Sequence, residues 1–291
     1  ENLKKVKKVK NKLITGIIGI PIKHSLSPII HNYWMDLHDI ASTYNIYELE
    51  KHEVPIFIKN MLTNNIKGLN VTIPYKREVM KYLDEITEDA VALGAVNTIK
   101  VGENNKLYGF NTDAYGFMKH LNITAPTWKE KKGAITIIGA GGASRAVTWA
   151  FLKEKKVDIR IINRNEKRAL TLIAEMKNLF PEATIIFYKD SSKALLNSSL
   201  LVNCTSLGMK GQPQLELNLE RMNKDSIVYD IVYSPLITEL LYGAKKLNFK
   251  TIDGLGMLLN QAVPAFEMWY NKEAKATKSL RKKVIEHLER N

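Results

Sequence analysis

The chain has 291 residues, 45% hydrophobic and 25% charged, enough apolar content for more than one core of ordinary domain size. Its formal charge is +13, but six lysines and one glutamate in residues 1–12 carry +5 of it; the remaining +8 is spread along amphipathic segments, so no nucleic-acid partner is expected. No apolar run approaches the roughly 18 residues of a membrane span and the lysine-rich start lacks a signal peptide's apolar stretch, so a cytoplasmic protein with no membrane partner is expected.

Residues 1–12 read as a basic tail. ITGIIG (14–19), STYNIYEL (42–49) and GLNVTIP (68–74) read as strands, rich in β-branched and aromatic residues and closed by Gly or Pro. Between them SPIIHNYWMDLH (27–38) and VPIFIKNMLTNN (54–65) have helical apolar spacing, with Ser27 and Pro28 as a cap and first-turn signal. NTIKVGENNKLYGFN (97–111) reads as a hairpin around GENN, giving this first unit an α/β character with antiparallel pairing. A helix over 114–121 leads to AITII (134–138), the glycine cluster GAGGASR (139–145), and strands at DIRIIN (158–163), ATIIFY (183–188), LLVNCT (200–205) and SIVYDIV (226–232). From DGLGM (253–257) onward the chain reads as helix to its end.

The fold expected is therefore α/β with two domains. Residues 13–113 with 254–291 form an N-terminal α/β domain completed by C-terminal helix. Residues 114–253 form a doubly wound Rossmann-type domain. Cys204, the single cysteine, excludes an internal disulfide and is read as packing; the six histidines lie at no ligand spacing, so no metal is expected.

GAGGASR follows a strand and opens a helix, where small residues let backbone N–H groups approach a pyrophosphate. Ser144 stands where the common fingerprint has a third glycine, so a plain tight turn is the competing explanation. At the end of the following strand the chain has Asn163 and Arg164, with Arg168 a turn later, and no acid. Two guanidinium groups there suit a 2′-phosphate and favour NADP over NAD; solvated helix-start charges are the bland alternative.

NVTIPYK (70–76) delivers Lys76 just past a strand and a helix-starting proline, and GFNTD (109–113) offers the carboxylate of Asp113. Hydride transfer to a ketone leaves an alkoxide that needs a proton, and an ammonium both stabilises that charge and supplies the proton. A surface lysine in a first helical turn is the alternative. HSLSP (24–28) places Ser25 and Ser27 at a strand-to-helix turn that either receives a carboxylate or merely caps the helix.

HSLSP, NVTIPYK, GAVNT, GFNTD, GAGGA, NCTSLGM and DGLGMLLNQA, in this order from about Ile14 to Glu267, resemble the shikimate dehydrogenases. The resemblance implies an NADP-dependent reduction of 3-dehydroshikimate to shikimate, in the biosynthesis of chorismate and the aromatic amino acids. It implies that Ser25 and Ser27, helped by Tyr233, hold the substrate carboxylate, and that Thr72, Asn97, Asp113 and Gln261 contact ring hydroxyls. Lys76 matches the catalytic lysine, with Asp113 its partner. Gly139, Ala140, Gly141, Gly142, Ala143, Asn163, Arg164, Arg168, Ile231 and Gly254 fall where the family holds NADP, and Glu88 near it. GAGGA is common in the family, so Ser144 is no departure. The partner expected is a small-molecule substrate bound by a monomer or homodimer. An NAD-linked quinate/shikimate enzyme and a non-catalytic metabolite sensor on the same fold remain as rivals.

Overall fold

The computed structural model describes residues 13–156 and 158–290; the basic segment 1–12 lies outside them. Two compact units emerge, one from the described residues through Asn111 with Ala265–Ala274, the other from Thr112–Pro264 with the described residues from Lys275 onward.

The first unit runs β1 (Leu13–Gly19), α1 (Ser27–Leu37), β2 (Ser42–Glu48), α2 (Val54–Lys59), β3 (Ile66–Val71), β4 (Glu85–Ile86), α3 (Glu88–Leu93), β5 (Thr98–Val101) and β6 (Leu107–Phe110). The six strands form one sheet in the order β2-β1-β3-β5-β6-β4. β1 pairs in parallel with β2 and β3, whereas β5 is antiparallel to both β3 and β6, as the GENN hairpin predicts. Two clusters bury this unit's apolar residues. Ile58 and Met61 join Ile18, Leu69, Val71, Val79 and Ile99 in an aliphatic cluster. His31 and Trp34 of α1, Tyr44 of β2, and Phe266 and Trp269 form an aromatic one, in which the Trp269 indole donates to the Ile99 carbonyl at 3.0 Å. The indole lies against Gly68, where a Cβ would come within 2.0 Å of it, so any larger residue there displaces Trp269.

The second unit runs α4 (Asp113–Thr124), β7 (Ala134–Ile138), α5 (Gly142–Lys153), β8 (Asp158–Ile162), α6 (Glu166–Leu179), β9 (Thr184–Tyr188), α7 (Ser191–Leu195), β10 (Ser198–Asn203), β11 (Ile227–Asp230), α8 (Glu239–Lys246), β12 (Lys250–Ile252), the start of α9 (Leu255–Tyr270), which passes into the first unit at Ala265, and α10 (Lys278–Arg290). The sheet order is β12-β11-β10-β7-β8-β9 with every pair parallel. Counted within this unit the order is 3-2-1-4-5-6, the doubly wound arrangement, with its topological switch between β7 and β10. Neither β7 nor β10 has an exposed residue, as expected of central parallel strands.

Several boundaries differ from the sequence reading for local reasons. α2 stops at Lys59, and turns follow to Asn65, which sits at φ 55° in the left-handed region that asparagine tolerates. The terminal helix is two helices, because Asn271 takes the same conformation (φ 50°) just beyond α9. Pro74 opens no helix: residues 73–77 are turns, and a 3₁₀ segment begins only at Glu78. Ser27 is the first residue of α1 and not its cap, which falls on Leu26. At the end of the chain only 265–274 join the first unit; α10 stays with the second, where Arg281 makes a two-pronged ion pair to Asp253 at 3.1 and 2.7 Å.

Among the described residues no helix is long and apolar enough to cross a membrane, and no group of three His, Cys, Asp or Glu could hold a metal ion. Cys204 is buried, and burial pushes its thiol up.

Candidate active site

In the first unit, backbone hydrogen bonds lace together the loops at the carboxyl edge of the parallel strands. Thr72 N donates to Ile18 O at 3.0 Å and Ile20 N to Ile73 O at 3.1 Å, joining the loops after β1 and β3. Val71 N donates to Asn97 O at 2.8 Å, Val96 N to Lys76 O at 2.7 Å and Asn97 N to Phe110 O at 3.0 Å, which brings in the segment ahead of β5. Five expected residues therefore share one edge: Ser25, Ser27, Thr72, Lys76 and Asn97. Glu88 stands exposed at the first position of α3, outside this lacing.

The serine turn is held by its own polar groups. Ser25 N donates to Ile22 O at 2.9 Å, and the Ser25 hydroxyl accepts from Ser27 N at 3.3 Å. Ser25 is half-buried and Ser27 buried. The α1 cap position, Leu26, makes no side-chain bond, so the capping explanation of Ser27 is withdrawn; the first N–H of the helix, that of Ser27, is met by the Ser25 hydroxyl. Behind it, burial holds the Tyr44 phenol well above its ordinary range, a shift the neighbouring Ser27 hydroxyl partly opposes.

Beneath the serines lies His31, fully buried and stacked on Tyr44 at 4.4 Å and 7°. Among the described residues neither ring nitrogen meets a partner at full hydrogen-bond geometry, although the neighbouring Asn70 side chain opposes the effect of burial. Burial lowers its pKa to about 3, so the ring is neutral throughout the physiological range.

In the second unit the carboxyl ends of β7, β10 and β11 are laced in the same manner. Gly139 N donates to Ile162 O at 2.8 Å, Cys204 N to Ile138 O at 2.8 Å and Ile231 N to Asn203 O at 3.1 Å. Gly139 turns the chain with φ 114°, a conformation closed to other residues. A Cβ at Gly141 or Gly142 would meet nothing within 4 Å, so packing does not explain these two glycines. They leave bare backbone and open space at the head of α5, where an anion as large as a pyrophosphate can approach. Ser144 is fully buried and donates to Gly139 O at 2.6 Å, which secures the turn from beneath and accounts for its place in the fingerprint.

Asn163 follows β8, and its Nδ2 donates to Asn165 O at 2.7 Å; Asn165 caps α6 by accepting from Arg168 N at 3.0 Å. Arg164 and Arg168 are both exposed at this helix start. On the other side of the switch, the buried Asp230 carboxylate accepts from Asn203 Nδ2 (2.9 Å), Val232 N (3.0 Å) and Thr238 Oγ1 (2.7 Å). These bonds pin the segment that carries Ile231 and the half-buried Tyr233. Burial raises the Asp230 pKa, and the three bonds oppose that rise. Gly254 packs on Ile231, whose carbonyl oxygen would lie 2.0 Å from a Cβ there.

Asp113 opens α4, and Thr112 beside it donates to Gln261 Oε1 at 3.4 Å. Gly116 allows this approach, since a Cβ would stand 2.5 Å from that of Gln261. Asp113 and Gln261 thus share one corner of the second unit. The sequence reading passed over His31, Tyr44, Asn70, Thr98 and Asp230, all buried and polar. The available signal was a polar residue inside an otherwise apolar strand, as in GLNV and VYDIV.

A family model described as the shikimate dehydrogenase substrate binding domain matches residues 17–99, and one described as shikimate / quinate 5-dehydrogenase matches residues 122–256. The NADP(+) shikimate dehydrogenase of Paramagnetospirillum magneticum is 38% identical over 272 residues, covering 94% of this chain and 98% of that one. A crystal structure of shikimate 5-dehydrogenase from Thermus thermophilus in complex with NADP(H) and shikimate superposes with a TM-score of 0.81 at 31% identity, over 96% of this chain and 99% of that one. The quinate dehydrogenase of Corynebacterium glutamicum, solved with NAD, gives a TM-score of 0.87 at 27% identity over 94% and 99%.

Proposed function

We propose, from the premise that this chain belongs to the shikimate dehydrogenase family, that it interconverts shikimate and 3-dehydroshikimate with NADP, on the route to chorismate and the aromatic amino acids. It does so in the cytoplasm, as a monomer or homodimer, with no nucleic-acid or membrane partner. The observation that carries the reading is the single laced edge bearing Ser25, Ser27, Thr72, Lys76 and Asn97, in a chain whose other sheet turns through GAGGA at its topological switch.

NADP fits the residues present. The open backbone at Gly141 and Gly142, with Gly139, Ala140 and Ala143, takes the pyrophosphate; Asn163, Arg164 and Arg168 take the 2′-phosphate end, with Asn163 and not an acid at the end of β8; Ile231 and Gly254 line the far side of the switch. Glu88 is a further cofactor contact on the family resemblance alone. Bound NADP supplies the nicotinamide ring that takes a hydride from the alcohol carbon.

Ser25, Ser27 and Tyr233 hold the substrate carboxylate by hydroxyl donors, aided at the serines by the N-terminus of α1. Thr72, Asn97, Asp113 and Gln261 hold ring hydroxyls and fix which carbon reacts. In oxidation the Lys76 amine takes the hydroxyl proton as the carbonyl forms; in reduction its ammonium returns that proton to the alkoxide oxygen. Asp113 orients the ammonium and accepts from a substrate hydroxyl.

The test follows NADPH formation by absorbance with shikimate and quinate, each with NADP and NAD. Turnover of shikimate with NADP well above the other three combinations is expected. Preference for NAD would remove the role given to Arg164 and Arg168, and preference for quinate would favour the NAD-linked rival. Absence of turnover in all four would overturn the reading in favour of a binding module.

A further inference from the structure

Behind the laced edge of the first sheet, four buried side chains form a hydrogen-bond relay with one direction. Tyr44 Oη donates to Asn70 Oδ1 at 2.7 Å. Asn70 Nδ2 donates to Thr98 Oγ1 at 3.3 Å and to the Asn97 carbonyl at 3.4 Å, and Thr98 Oγ1 donates to Asn97 Oδ1 at 3.0 Å. Thr98 is fully buried and Asn97 is 2% exposed, so water does not compete for these groups.

The direction follows from what each group is able to do. A backbone carbonyl only accepts, so Asn70 must aim its N–H₂ at Asn97 and Thr98 and its oxygen at Tyr44, which then has to donate. Thr98 accepts from Asn70 and owns a single hydrogen, which goes to Asn97 Oδ1. The Asn97 oxygen is therefore turned to the relay, and its N–H₂ is the end the side chain presents elsewhere.

We propose that Thr98 is a positioning residue for the substrate: it locks the Asn97 amide so that this residue offers N–H donors, and never a carbonyl oxygen, to a ring oxygen of the bound polyhydroxylated acid. Tyr44 and Asn70 anchor the relay from behind. This rests on the reading of Asn97 as a substrate contact. A fixed donor pair suits both members of an alcohol and ketone couple, because a ketone oxygen accepts and cannot donate. A freely turning amide would divide its population between donor and acceptor faces and bind each more weakly.

Thr98→Val keeps the shape and removes the hydroxyl. It is expected to raise the KM for shikimate about tenfold, the size of one buried hydrogen bond lost, while kcat and the KM for NADP stay within about twofold. Thr98→Ser is expected to restore the shikimate KM, which a packing role for the threonine methyl would not do. In an Asn97→Ala background, itself raised in shikimate KM, Thr98→Val should add nothing. If valine prevents folding, judged by the thermal midpoint, Tyr44→Phe serves in its place, with about a threefold rise in shikimate KM that likewise vanishes in Asn97→Ala. An unchanged KM in Thr98→Val, or in Tyr44→Phe where that variant stands in for it, failure of serine to rescue, or multiplicative effects with Asn97→Ala would overturn the relay. An unchanged KM in Asn97→Ala alone would overturn the substrate role of Asn97 and the relay with it. A rise in Asn97→Ala with none in Thr98→Val would overturn the relay only.

Discussion

Two strand-to-helix turns carry the expected ligand groups, and they are built on opposite plans. The turn from β1 to α1 is furnished with side chains: Ser25 braces Ser27, and Ser27 lies buried against Tyr44. The turn from β7 to α5 is stripped of them, with Gly139 bending the chain and nothing standing above Gly141 and Gly142. In neither does the cap residue itself, Leu26 or Gly141, make a side-chain bond to the helix. The difference teaches what each can hold. Hydroxyls at fixed positions select a small planar anion such as a carboxylate, whereas bare backbone admits a bulky diphosphate whose contacts are to N–H groups.

If both turns only bind, the chemistry must lie elsewhere, and the largest effect is expected at Lys76. Lys76→Ala should lower kcat by roughly 10²–10⁴, the range for losing a general acid or base, while the KM for NADP stays near wild type. Steady-state kinetics checks this. A comparable loss of kcat from a substitution at either turn, with Lys76→Ala mild, would break the division between holding and reacting.

Gly142→Val sharpens the contrast next. Because a Cβ there meets no protein atom, and valine is no worse a helix former than glycine, the thermal midpoint should stay within a few degrees, a change within about 0.5 kcal/mol. The KM for NADP should rise roughly tenfold to a hundredfold, about 1.4–2.8 kcal/mol, and the KM for shikimate should not. Ser27→Ala should act in mirror image, raising the shikimate KM roughly tenfold through one lost bond to a charged group and leaving NADP untouched. Crossed effects from either variant would show that the turns do not divide the ligands.

The same contrast explains what was legible in the sequence. The glycine turn announced itself because an unusual backbone needs an unusual residue, and GAGGA between a strand and a helix has few other uses. Of the parallel strands around it AITII was found to the residue and LLVNCT within two, because buried central strands read as continuous apolar runs, while the short edge strand β12 was not read. The serine turn was found but misjudged. Ser27 looked like a cap, and only the fold shows it inside the helix with its hydroxyl facing Tyr44. The two-residue strand β4 and the break at Asn271 escaped notice because tertiary pairing and a single left-handed residue leave little trace in periodicity. Tyr44, Asn70 and Thr98 were hidden for a related reason, since their partners lie 26–28 residues apart in sequence and meet only across the sheet.

The smallest effect expected concerns stability, and it separates the turns by pH. α1 carries His31, whose nitrogens meet no partner at full hydrogen-bond geometry among the described residues and whose pKa burial lowers to about 3, against 6.5 in the unfolded chain, whereas α5 carries no histidine. Between those values the unfolded state binds the extra proton. The stability due to a neutral His31 is therefore complete above about pH 6.5 and falls as the solution is acidified, by at most about 1.4 kcal/mol per pH unit. His120 adds to the slope in the second unit: burial brings its pKa to about 4, with its Nδ1 2.7 Å from Tyr229 Oη. His31→Phe keeps an aromatic ring for Tyr44 to stack on and removes the titrating group, so its thermal midpoint should decline less steeply than wild type between pH 7 and 5. Parallel declines would mean that the buried ring behind the serines is not what acid attacks, and that the two turns rest on equally acid-tolerant supports.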